Sequence, residues 1–204
     1  MLIGSIEVQN IDKNNYTILD DEHTYHTVLI NSFDLPYKTK FYATNVSSLE
    51  DFIKTNIFSI YTANKMLISI YNQLSAILSH NLSISFIDIT DIIVIDSHQF
   101  FFCNTSKIFP VFNKTIKMDN IYDIHNRFLP PEFKTNTSIP FICNESSFIY
   151  SLALITLYSL KQTNNVFSLC SNDEVLDYYK STKLYSILKL CLSDKPQNRI
   201  FIIF

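Results

Sequence analysis

Residues 83–104, SISFIDITDIIVIDSHQFFFCN, decide how the rest of the chain is read. The run holds two short β-branched or aromatic stretches on either side of Asp96-Ser97-His98. Such residues suit a pleated, half-buried surface, and a polar break between two such runs marks a turn. The reading is a β-hairpin. Immediately upstream the period changes. Met66, Leu67, Ile70, Tyr71, Leu74, Ile77 and Leu78 recur every three or four residues, which predicts a helix over 62–80 with one apolar stripe against a core.

Working outward, Ser47 or Ser48 can cap a short helix with Leu49, Phe52 and Ile53 on its apolar face. Residues 1–45 read as short strands and turns: IGSIEVQNI, YTILDD, HTVLI and KTKFYATN. Downstream, 104–145 contains Pro110, Pro130, Pro131 and Pro140 and reads as a long loop. Ser146 or Ser147 opens FIYSLALITLYSL, apolar around most of its circumference and so expected at the centre. A last helix is expected over 181–192, stopped by the proline of Asp194-Lys195-Pro196. Strands and helices in separate runs give the class α+β.

Composition excludes more than it suggests. At 204 residues and 47% apolar the chain can build one core or a domain and a fragment. Its single glycine, Gly4, leaves no Walker loop, Rossmann fingerprint or Gly-rich nucleotide flap. A net charge of −3 without a basic cluster argues against nucleic acid. No apolar run or N-terminal leader pattern suggests a membrane or a signal peptide, so a soluble, intracellular (cytoplasmic) protein is expected. Cys103, Cys143, Cys170 and Cys191 are too far apart for a metal knuckle and read as free thiols. His23 and His26 beside Asp20, Asp21 and Glu22 read as a solvated turn, and His80, His98 and His125 are isolated. The plain role of Asp88 and Asp91 is turn-making through bonds to backbone N–H groups.

The order of elements and several short motifs together resemble the eukaryotic-type protein kinase domain. KFYATNVSSLEDFI resembles the last N-lobe strand, hinge and following helix; FLPPEF resembles the A-P-E motif. Tyr150, Ser151, Leu152 and Ala153 stand in the W-S-x-G places, and LCLSDKPQNR resembles the late signature whose arginine follows D-P. Similar patterns occur in divergent kinase-like proteins of large DNA viruses, which would place the chain in a host cell. The resemblance implies a mainly helical kinase C-lobe over 46–204 behind a truncated β N-lobe and hinge over 1–45. It also implies a structural ion pair between Glu132 and Arg199. A helical protein unrelated to kinases would leave those two residues far apart.

The chemistry of the family is poorly matched. A kinase loop H-R-D-x-K-x-x-N supplies a base and a magnesium ligand. Here Asp88 takes the aspartate place only with a deletion after it, Thr90 replaces the lysine and Ile92 falls at the asparagine. Asn104 stands where D-F-G begins, and Phe148 where D-x-W-S-x-G begins. Lys13, Lys38 and Lys40 are the N-terminal lysines on offer, without a glutamate helix to pair them. The expectation is a pseudokinase: no catalytic residue, with Asp88 and Asn104 as degenerate equivalents, no metal or cofactor, and a scaffolding role toward an unidentified protein, self-association being left open. The alternatives are a residual Ser/Thr kinase using Asp88 with ATP and Mg²⁺, and a fragment whose missing lobe lies upstream of Met1.

Overall fold

The computed structural model describes residues 45–119, 122–135, 138–167 and 169–200. The expected front β region lies outside them, Asn45 excepted, as do Lys13, Lys38, Lys40, His23 and His26.

The described chain is α+β, with two antiparallel sheets among its helices. Strand β1 (Val46–Ser48) leads into α1 (Leu49–Thr55), where the Ser48 hydroxyl accepts the Asp51 N–H and Glu50 and Asp51 occupy the positive first turn. Helix α2 (Ile60–Ser79) starts at a Ser59 cap. It buries Met66, Leu67, Ile70, Leu74 and Ile77, the stripe its 3.6-residue period requires. After β2 (Leu82–Ile84), β3 (Ile92–Ile95) and β4 (Gln99–Phe102) form the hairpin, with Ile92 opposite Phe102 and Ile95 opposite Gln99. Its turn is closed by His98 N–H donating to Ile95 O (3.1 Å). Asp96 and Ser97 have φ of 49° and 64°, the pair of positive values a type I′ turn needs.

The sheet β1-β3-β4 packs on α2, and β4 is one of its two outer strands among the described residues. That edge is covered by Gln73, a 3% exposed amide inside an otherwise apolar stripe. Its Nε2 donates to Phe100 O (2.8 Å) and its Oε1 accepts Phe102 N–H (3.0 Å), pairing backbone groups that no further strand reaches among the described residues.

The stretch 104–145 departs from the expected loop. It contains β5 (Ile108–Phe112), β6 (Thr115–Met118) and β7 (Phe141–Asn144), which join β2 in a sheet of order β2-β5-β6-β7. Between β6 and β7 lies α3 (Pro131–Thr135). This sheet has its own small core of Phe86, Ile116, Met118, Leu129, Phe133, Phe141 and Cys143. Tyr122 packs edge-on against Phe86, Phe133 and Phe141, and its hydroxyl donates to Phe133 O (2.8 Å).

Helix α4 (Ser147–Gln162) is central, with Phe148, Leu152, Ala153, Ile155, Leu157 and Leu160 all buried. Helix α5 (Asn172–Tyr178), which periodicity did not suggest, opens on a capping box between Ser171 and Glu174. Helix α6 (Lys183–Cys191) starts at a Thr182 cap and ends at Leu192. Pro196 therefore does not stop it, but opens the 3₁₀ turn Pro196–Asn198.

Candidate functional site

Between β2 and β3 the backbone makes one 3₁₀ turn, Ile89–Asp91, bracketed by two aspartates. Asp88 Oδ1 accepts from Thr90 N–H (3.1 Å) and from its hydroxyl (3.2 Å), while Asp91 Oδ2 accepts from Asp88 N–H (2.7 Å). The turn-making role is thus present as a reciprocal cap. The second Asp88 oxygen accepts from the Asn126 amide. Asp88 is partly exposed and lines a cleft of about 300 Å³ with Glu50, Asp123, His125, Arg127 and Tyr158. A neighbouring hollow of about 230 Å³ continues past Arg127 and Tyr158 toward Lys161 and Asn172. There the Arg127 guanidinium lies 5.1 Å from the Tyr158 ring centroid.

Asp91 is the buried member, 3% exposed. Besides the Asp88 amide it receives Asn104 Nδ2 on Oδ1 (2.7 Å) and Lys107 Nζ on Oδ2 (2.5 Å). The Lys107 ammonium also sits 4.2 Å from the Phe86 ring centroid. Asn104 turns its carbonyl oxygen away, toward the Ser106 N–H (3.2 Å) and hydroxyl (2.6 Å). The residue facing Asn104 is therefore Asp91. Ile92, aligned in the sequence with a loop asparagine, is fully buried in β3.

A second cluster joins α3 to the segment after α6. Arg199 Nη1 and Nη2 donate to Glu132 Oε1 (2.6 Å) and Oε2 (2.7 Å), a bidentate pair with the arginine side chain fully buried. Arg199 Nε donates to Ser193 O (2.8 Å), and the guanidinium lies 4.9 Å from the Tyr150 ring centroid. Ser147 Oγ donates to Glu132 Oε1 (2.6 Å). Burial alone would raise the Glu132 pKa. The hydrogen bonds from Arg199 and Ser147 outweigh it and hold the carboxyl below its ordinary value.

The structure thus brings Glu132 and Arg199 into direct contact and links Asp88 to Asn104 through Asp91. Phe86 connects the two clusters, with Lys107 over its face and Phe133, next to Glu132, 5.5 Å away between ring centroids. Sequence reasoning passed over Lys107 and the burial of Asp91 and read Ser147 only as a helix opener, because none of these roles belongs to a periodic pattern. Among the described residues no group of three or more His, Cys, Asp or Glu could hold a metal ion. No helix there is long and apolar enough to cross a membrane. No protein-family model matches the chain, and no curated protein matches it.

Proposed function

We propose that the chain is a protein kinase-like domain that does not transfer phosphate and works as a binding module for another protein. The observation that carries the reading is the state of Asp91 and Asn104. The resemblance puts a magnesium site between the loop and Asn104, and Mg²⁺ requires several free hard oxygens in octahedral geometry. Both oxygens of Asp91 are already engaged, one of them by an ammonium, and Asn104 offers its NH₂ group rather than its oxygen. These residues do not fit the ion. Since phosphoryl transfer is almost wholly positioning and charge neutralisation, a loop without metal ligands forfeits most of the acceleration.

The kinase-like part of the reading is supported by the Glu132–Arg199 contact, which an unrelated helical fold had no reason to contain, and by the helix–hairpin–helix order around it. A protein partner is favoured because the acidic, nearly glycine-free chain suits neither nucleic acid nor a nucleotide. One observation favours a residual kinase instead: Asp88 borders an open cleft. The two readings separate in one experiment. The protein is melted with and without Mg-ATP and incubated with labelled ATP and a generic protein substrate. The proposal expects no Mg-dependent stabilisation and no incorporation. Incorporation abolished by Asp88→Asn, with an unchanged melting temperature, would establish the residual enzyme.

A further inference from the structure

We propose that the apolar patch around Phe167, between α4 and α5, is the docking surface for a segment of another protein in which apolar residues are flanked by Lys or Arg. The inference deepens the binding-module reading and rests on it only for the partner being a protein. Val166 is 73% exposed, Leu169 97% and Tyr178 66%. Phe167, itself buried, gathers them: it follows Val166, precedes Leu169 by two positions and meets the Tyr178 ring edge-on, 4.9 Å between centroids. Large apolar side chains clustered in water mark an interaction site, whereas scattered ones need no account. The rim of the patch is acidic. Glu174 stands one helical turn before Tyr178 on the same face of α5, and Asp173 and Asp177 are exposed on the same helix. Among the described residues Asp173 and Asp177 make no ion pair, not even with Lys180 just past the helix. Glu174 accepts the Ser171 N–H (2.6 Å), and Lys161, whose charge reaches it, donates to Cys170 O (2.6 Å). Charge then selects the occupant. Residues 1–44 of this chain carry six carboxylates against three lysines, and a second copy brings a net charge of −3, so neither complements the rim as a cationic partner does.

The probe is a fluorescein-labelled amphipathic peptide of leucine and lysine, with its leucine–glutamate counterpart as control, each titrated with the full chain and followed by fluorescence anisotropy. The native protein should bind the lysine peptide at least about tenfold more tightly than the glutamate peptide, the preference shrinking as salt screens the rim. Val166→Ser/Leu169→Ser should lose roughly tenfold or more in affinity, because it removes the exposed apolar contacts. Asp173→Asn/Asp177→Asn should lose about threefold to tenfold at low salt and far less at high salt. Both double variants should melt within about 2 °C of the native protein, since the altered side chains are exposed. Phe112→Ser/Asp119→Asn removes a comparably exposed apolar group and a carboxylate from the other sheet and should bind as the native protein does. The proposal is overturned if the native chain binds neither peptide below roughly millimolar concentration. It is equally overturned if the two peptides bind alike, or if Val166→Ser/Leu169→Ser binds as tightly as the native protein. A native dimer in sedimentation that Val166→Ser/Leu169→Ser converts to a monomer also overturns it, by making a second copy the occupant. None of these results alters the phosphate-incorporation outcome, which is read without either peptide, and incorporation by the native chain would leave the patch result standing.

Discussion

Replacing Glu132 by alanine should be among the most damaging single changes outside the apolar core. The guanidinium of Arg199 would stay in place with its side chain fully buried and its two shortest partners gone. Ser193 O, Asp194 O and the Tyr150 ring would remain, none of them charged. Removing one partner of a buried pair costs about 3–5 kcal/mol. At about 2–4 °C per kcal/mol for a chain of this size, the melting temperature should fall by roughly 6–20 °C. Glu132→Gln retains an acceptor and should lose less, and Arg199→Lys, unable to serve both oxygens, should fall between. Urea unfolding followed by circular dichroism reads the change as a lower midpoint at constant slope. The pair also sets an acid limb. Because the folded Glu132 pKa is depressed, its stabilisation is complete above the ordinary glutamate value of about 4.3 and is lost as pH falls through the lower folded value. The limb should be shallower in Glu132→Gln. A Glu132→Ala protein that melts within a degree or two of the native one, with the same urea slope, would refute the reasoning.

Gln73→Leu preserves volume but orphans Phe102 N–H and removes one donor from Phe100 O, so it should cost about 1–3 kcal/mol in a urea titration. Burial pushes the Cys143 and Cys191 thiols up to about 12, so neither should form thiolate near neutrality. Alkylation of the native protein, read by peptide mass mapping, should therefore mark the partly exposed Cys170 first and reach Cys143 and Cys191 only in denaturant.

The hairpin was readable as two apolar runs, buried on both faces, on either side of a polar break, and α2 by the 3.6-residue period of its one buried stripe. Strands β5 to β7 were hidden for a local reason. Pro110 sits within β5, opposite Leu82, and the turn joining β5 to β6 is Asn113-Lys114, without the glycine that usually announces such a turn. Helix α5 is short and polar at its start, and only its Ser171–Glu174 box marked it. Glu132 and Arg199 stood out through motif likeness alone, for they are 67 positions apart. Gln73 and Lys107 could not be read at all. Their partners lie 16 to 29 residues away, and a polar residue on an apolar stripe looks like noise until the strand edge beside it is seen.

The near-absence of glycine has a consequence for the denatured chain. Left-handed backbone occurs at Asn81, Asp96, Ser97, Asn113 and Lys114, with φ between 48° and 64°. Each such residue with a Cβ is held about 1–2 kcal/mol above its preferred geometry. The same side chains narrow the range of shapes open to the unfolded polypeptide, so folding gives up less freedom at these corners than a glycine-rich chain would. Tightness of the corners and stiffness of the random coil are here two faces of one compositional bias.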